Sequence, residues 1–296
     1  MLLTRNPKKQ LLTWSLSIFA ISALSHANAL LAGDRLLATG GVMQIEGAGG
    51  GGLTPWALIS GYGTDKQVGG SAFYTEAKTN GDFEISAGGV SVGLYNRLEI
   101  SLSQQKLGLS DTVPGESIRM DTLGVKVRLF GDAVYDQDTW LPQVAIGAQI
   151  KRNEDFNNIP KALGAKHQTG VDLYLAATKL YLGAAFGRNL LLNGTLQATK
   201  ANQFGFLGFG GDNHDRYQIQ PAASVAVMLT DQLLLGTEYR YKPDNLSVFK
   251  EQNAHDVFLA WFPVKNISLT AAYLDLGNIA NKANQSGWYL SGQISY

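Results

Sequence analysis

Hydrophobic side chains recur at every second position along most of this chain. In 217–229, Ile219, Ala223, Val225, Val227 and Leu229 alternate with Gln218, Gln220, Ser224 and Ala226. In 233–242, Leu233, Leu235, Thr237, Tyr239 and Tyr241 alternate with Gly236, Glu238, Arg240 and Lys242. The same rhythm runs through 98–105, 123–130 and 143–151. It returns at the C-terminus, where Trp288, Leu290, Ile294 and Tyr296 share one phase and Tyr289, Ser291, Gln293 and Ser295 the other. Successive side chains of a strand point to opposite faces, so a period of two means sheet with one apolar and one polar face. Further strands are predicted over 56–63, 68–78, 82–92, 168–180, 188–200, 254–263 and 266–275.

A tilted strand of about 9–11 residues crosses a bilayer, and bacterial single-chain barrels have even strand numbers. The pattern therefore predicts an all-β protein, a transmembrane antiparallel β-barrel of 12–14 strands. Twelve results if one segment is no strand, fourteen if Val42–Glu46 adds one. A soluble β-sandwich also alternates, with its charged face in bulk water. Three features favour the barrel: a terminal segment that ends on an aromatic, a secretory leader, and aromatics near strand ends. Those aromatics are Trp56, Trp140, Trp261, Tyr241 and Trp288, and amphipathic rings prefer the headgroup level. Turns at 95–97, 230–231 and 264–266 are short. The connections 107–117, 153–167, 201–216, 244–253 and 276–286 are longer and polar, which puts the short turns on the periplasmic side. Pro142 and Pro221 stand at or inside strands, where each removes a ladder donor.

Arg5, Lys8 and Lys9, the apolar stretch Leu11 to Leu24 and Ala27-Asn28-Ala29 predict a signal peptide over 1–29. Taking those three cations from the 24 basic residues leaves 21 against 24 acidic ones, a net charge of −3. No basic excess remains for nucleic acid. With 0 Cys, the chain has no disulfide, no thiolate metal site and no thiol nucleophile. Residues 30–55 read as a Gly-rich N-terminal segment and 56–296 as the barrel. Gly47, Gly49, Gly50, Gly51 and Gly52 stand where a dinucleotide fingerprint would need a helix to follow. Leu53-Thr54-Pro55-Trp56 follows instead, so no cofactor is expected. The tract reads as a lumen plug or a sharp bend into the first strand, with a flexible linker as the alternative.

Six charges fall on the polar phase: Glu99, Lys126, Arg128, Lys151, Glu238 and Arg240. Arg or Lys at the membrane midplane costs about 2–4 kcal/mol on the lipid face, which directs them inward. They would line a pore, or pair with one another to close a small barrel. His167, His214 and His255 fall in or beside long connections. The cluster Gly210-Gly211-Asp212-Asn213-His214-Asp215 lacks EF-hand spacing and reads as a polar turn rather than a metal site. His255 beside Asp256 is the best seed for a barrel hydrolase, without an evident serine partner. No catalytic residue and no metal ligand is expected.

Three stretches carry a resemblance: GGVMQIEGAGGGGLTPWALISGYGT (40–64), GLYNRLEISLSQQ (93–105) and LLLNGTLQATKANQFGFLGFGGD (190–212). Together they resemble the proteobacterial domain of unknown function 3034 family, over nearly the whole chain after the leader. The resemblance implies a signal-bearing outer-membrane-like protein and transfers no functional residue. The expectation is an outer-membrane barrel that passes small solutes or ions. Its partners are outer-membrane lipid and the barrel-insertion machinery, the latter through Trp288, Leu290, Ile294 and Tyr296. A non-conducting structural or surface-interaction barrel and a lipid-modifying barrel enzyme are the rivals.

Overall fold

A computed structural model describes residues 33–296, so the predicted signal peptide lies outside the described residues. Two short strands come first, β1 (Val42–Met43) and β2 (Gly49–Gly50). Twelve longer ones follow: β3 (Val68–Thr79), β4 (Glu84–Leu94), β5 (Leu98–Gly108), β6 (Ser117–Phe130), β7 (Gln143–Asn153), β8 (Thr169–Ala185), β9 (Arg188–Thr199), β10 (Gln218–Thr230), β11 (Leu233–Arg240), β12 (Ala254–Val264), β13 (Ile267–Asp275) and β14 (Ser286–Ser295). Each pairs antiparallel with its neighbour in sequence. Closure comes from β14 against β3, in register from Gly287↔Thr79 to Ser295↔Ser71. Closure removes both sheet edges, which is what lets a sheet live in hydrocarbon.

Two expected strands are not barrel strands. Residues 56–63 lie inside the barrel and are buried on both sides, where a wall strand would expose alternate residues. No wall strand pairs with them along a ladder, and Ala57 N and Ser60 N bond to the wall side chains Thr178 and Glu99. Val42–Met43 pairs with Gly49–Gly50 in a small hairpin, also inside. The wall therefore has twelve strands.

The period-two reading holds along the wall. Ile100, Leu102, Leu123, Val125, Ile146 and Ile150 face outward, 41–55% exposed, while Ser101, Ser103, Thr122 and Lys126 between them are buried inside. So large an apolar belt on a closed surface belongs in lipid, and the protein is an outer-membrane barrel. Trp140, Trp261, Tyr241 and Trp288 lie on the exterior, with Trp288 edge-on to Tyr273 at 5.2 Å. Trp56 does not: it is among the most buried side chains of the lumen. Pro221 makes no bulge, and the β9–β10 register passes through it unbroken. Its carbonyl accepts from Tyr241 N just past the end of β11, so the missing donor falls at the ladder's edge.

The connections alternate in length with two departures. The β6–β7 connection, 131–142, is long although it lies at the short-turn end. The β3–β4 connection, 80–83, is tight although it lies at the other, with Asp82 at φ +61° and Thr79 N bonded to Phe83 O. The 154–168 connection carries one short helix, α1 (Ile159–Ala162). Chain end and short turns share one side, the side that short turns mark as periplasmic in outer-membrane barrels generally. One consequence is measurable. Leu102→Arg, mid-strand on the outer face, should cost about 2–4 kcal/mol in a denaturant titration of vesicle-embedded protein. An unchanged midpoint would mean that this face is not in hydrocarbon.

Candidate functional site: the occupied lumen

Residues 33–62 enter the barrel at the short-turn end and return to it. At that end Lys265 Nζ donates to Gly33 O and Tyr62 N to Tyr296 O at 2.7 Å. Every residue from Thr39 to Gly63 is buried. A chain segment inside a sheet cylinder has few strand partners, yet its buried N–H and C=O groups still need them. The segment supplies some itself, such as Ile45 N to Gly52 O and Trp56 N to Gly49 O, and wall side chains supply others.

Three groups of side-chain contacts tie the segment to the wall. Glu99 accepts Gly49 N at 2.9 Å and Ser60 N at 2.8 Å, and Lys126 Nζ donates to Gly49 O at 2.7 Å and Leu58 O at 2.8 Å. The two side chains, neighbours across β5 and β6, also pair with each other at 3.1 Å. Glu238 accepts Leu53 N at 2.7 Å, Thr54 Oγ1 at 2.5 Å and Ser224 Oγ at 2.8 Å, and Trp56 Nε1 donates to Ser224 Oγ at 2.9 Å. Deepest of all, Glu46 receives Lys151 Nζ at 2.5 Å and Arg240 Nη1 at 2.9 Å, while Lys151 also meets Asp172 at 2.6 Å. Neutral donors and acceptors complete the seam: Ala57 N to Thr178 Oγ1 at 2.8 Å, Gln143 Nε2 to Ala57 O at 2.6 Å and Thr195 Oγ1 to Pro55 O at 2.7 Å.

The five tract glycines sit in this seam. Gly47 turns the hairpin at φ +95°, a conformation open to glycine. At Gly51 an added Cβ would fall 1.9 Å from Glu238 Oε1, so only a bare backbone can approach that carboxylate.

Five of the six charges on the polar phase, Glu99, Lys126, Lys151, Glu238 and Arg240, are buried in the lumen. Arg128 is apart from them. It lies half-buried near the short-turn rim and bonds to Gly131 O and Asp132. Sequence reasoning did not assign three carboxylates to the lumen. Asp172 and Asp256 stand on the inward phase of β8 and β12, and that phase was their signal. Glu46 is the one charge between Arg35 and Asp65, a placement that marked it. Trp288, Leu290, Ile294 and Tyr296 all face outward on β14.

The opposite mouth is covered by loops. Phe204, Phe206, Leu207 and Phe209 of the 200–217 connection are buried there, and the Phe204 ring lies 4.6 Å from the Arg240 guanidinium. Asn153 Nδ2 holds Gly205 O at 3.0 Å and Phe206 O at 2.7 Å. Lys242 Nζ meets Glu251 at 3.1 Å and Leu276 O at 2.7 Å. The 210–215 turn splits its acids: Asp212 bonds to Ser247, and Asp215 to His167 at 3.0 Å and Lys200 at 3.2 Å. The His167 hydrogen bond, with Lys200, holds the Asp215 carboxyl below its usual range against a little burial. Its contribution is thus present above the ordinary carboxylate pKa and is lost as pH falls through the lowered value. Protease sensitivity of 200–217 should therefore stay flat from pH 8 to 5 and rise only in stronger acid. A rise already near pH 6 would contradict the assignment. His255 and Asp256, adjacent in β12, point to opposite faces, His255 outward and Asp256 inward.

The family model for "Protein of unknown function (DUF3034)" matches residues 39–293. Among curated proteins none matches this sequence. Solved structures with a similar fold include the KdgM porin, at 11% identity over 76% of this chain and 99% of that chain, TM-score 0.49. The NanC porin has 12% identity over 75% and 98%, TM-score 0.49. Omp33 of Acinetobacter baumannii has 7% identity over 77% and 97%, TM-score 0.46.

Proposed function

This chain belongs to the DUF3034 family, and we propose that its barrel is a channel for small polar solutes or ions, closed at rest by its own chain. Residues 33–62 are the plug, running to Tyr62 rather than stopping at 55, and the 200–217 connection is the outer cover. One observation carries this reading: beside apolar packing of Met43, Leu53 and Leu58, the wall grips the segment through buried charges and hydroxyls. A twelve-strand cylinder leaves room for water unless something fills it. Water can replace the plug's contacts to Glu99, Lys126, Lys151, Glu238 and Arg240, because those groups hydrate well. An apolar wall would have no such alternative partner. The wall's Glu99, Asp172, Glu238 and Asp256 nearly balance Lys126, Lys151 and Arg240, so ion preference is weak.

The outward row Trp288, Leu290, Ile294 and Tyr296 serves the barrel-insertion machinery during assembly. The reading is non-enzymatic, supported by the opposite orientation of His255 and Asp256, which keeps these two from forming an acid–base pair with each other. Planar-bilayer recording tests the channel. The full chain should pass no steady current. A variant lacking 33–62, with 202–209 replaced by two glycines, should give discrete steps. If that variant still forms a heat-resistant barrel and conducts nothing, the protein is a structural barrel instead.

A further inference from the structure

The inner wall changes character along the strands. On β8 the inward residues run Asp172, Tyr174, Ala176, Thr178 and then Leu180 and Leu182 toward the periplasmic rim. On β12 they run Asp256, Phe258, Ala260 and Phe262, and on β11 Arg240 and Glu238 give way to Leu234. Leu191 of β9 and Met228 of β10 complete an apolar quadrant. In that quadrant both strand faces are greasy. The signal in the sequence is a loss of alternation at these strand ends: Leu233-Leu234-Leu235, Leu190-Leu191-Leu192 and Phe258-Leu259-Ala260-Trp261-Phe262.

Among the described residues, 33–62 do not fill this quadrant. Near the rim they lean the other way, with Ser60 Oγ on Ser91 Oγ at 2.8 Å, Gln293 Nε2 reaching Gly41 O at 3.4 Å, and the Gly61 backbone close against Gly70, while deeper in Ala57 N stays on Thr178. A cavity of about 450 Å³ is left between Leu36, Val42, Trp56 and Leu58 on one side and Leu180, Leu191, Met228, Leu234, Phe258 and Phe262 on the other. That is within the span of small-molecule sites, about 300–1,000 Å³. Among the described residues its one charged lining residue is Asp231, at the β10–β11 turn, with Asn189 of β9 also in the lining. From Leu182 at the rim to Thr178 inside is four residues, about 13 Å along the tilted strand. Water gains few hydrogen bonds in such a chamber, whereas an alkyl chain contacts every wall.

We propose that this periplasmic chamber binds one aliphatic chain of a neutral-headed amphiphile, tail inward against Trp56 and Phe258, head at the rim by Asn189 and Asp231. A head with a negative charge is disfavoured by the Asp231 carboxylate, and the tail needs no polar partner. Binding is independent of whether the plug ever moves, so it is read without any current.

The chain has 5 Trp, and Trp56 is the one that lines the chamber. Replacing Trp14, Trp140, Trp261 and Trp288 by Phe leaves a single reporter. The full chain in lipid nanodiscs is then titrated with a long-chain alcohol brominated at its tail end, a contact quencher of indole. The expected result is saturable quenching at one probe per protein, weakened at least tenfold by Ala260→Phe, which fills the chamber. Should Ala260→Phe fail to fold, Leu180→Gln, nearer the rim, should weaken quenching severalfold. Quenching that rises linearly with probe, or that neither variant changes, would overturn the proposal. So would no quenching at all.

Discussion

Glu46→Ala should destabilise the protein by about 3–5 kcal/mol, because it strips the shared anion from two buried cations. Glu46 is fully buried and receives Lys151 at 2.5 Å, Arg240 at 2.9 Å and Gln44 Nε2 at 2.8 Å. After truncation Lys151 keeps Asp172 at 2.6 Å, but Arg240 keeps only Leu53 O and the Phe204 ring. The intact cluster adds little net stability by itself, since burying its charges costs nearly what their attraction returns. The loss comes from leaving a cation unmatched. Glu46→Gln, which keeps the shape and one acceptor, should fall between wild type and alanine. The damage should also be local. Glu46 belongs to a segment outside the strand ladder, so proteolysis within 33–62 should appear before the barrel melts. Denaturant midpoints and a timed digest read the two effects. A single cooperative loss with no early cleavage would mean that segment and wall unfold as one unit.

Gly51→Val should be nearly as costly by a different route. The new Cβ would lie 1.9 Å from Glu238 Oε1 and 2.5 Å from its Cδ. That carboxylate cannot swing away freely, because Leu53 N, Thr54 and Ser224 all bond to it. Overfilling a packed site costs about 1–3 kcal/mol, and here it also breaks charge-assisted hydrogen bonds. Gly194→Ala is the matched control. It faces lipid from β9, with open space where its Cβ would go. Equal midpoints for Gly51→Val and Gly194→Ala would show that the tract does not lie against Glu238.

The wall was legible in the sequence because its two environments differ sharply. Hydrocarbon outside and polar contacts inside impose opposite chemistry on neighbours such as Leu102 and Ser103, and that contrast survives without coordinates. The inward direction of Glu99, Lys126, Lys151, Glu238 and Arg240 followed from the same phase. What those charges hold did not. Apart from the Glu46 carboxylate on Lys151 and Arg240, their partners in the segment are largely backbone groups of Gly49, Leu53, Leu58 and Ser60, and a peptide group looks alike whatever residue carries it. Residues 56–63 read as a strand because Ala57, Leu58 and Ile59 are apolar. Composition cannot tell a segment facing lipid from one enclosed by the wall. The rim residue Arg128 shares the phase of Lys126, yet sits two residues nearer the strand end, where loop carbonyls replace lumen partners. Trp56 was misplaced for a related reason: its indole N–H suits a headgroup as well as it suits Ser224.

Cysteine labelling tests the central claim most directly, since the chain has 0 Cys and gives no background. Ser224 lies on the inner wall beneath Trp56 and Thr54, and Val225 faces lipid. In outer-membrane vesicles the Ser224→Cys variant should resist a water-soluble maleimide and become reactive once 33–62 is deleted. The Val225→Cys variant should resist it in both backgrounds and yield only to a lipid-soluble reagent. Rapid aqueous labelling at position 224 in the full chain would contradict an occupied lumen, and aqueous labelling at 225 would contradict the barrel's place in the membrane.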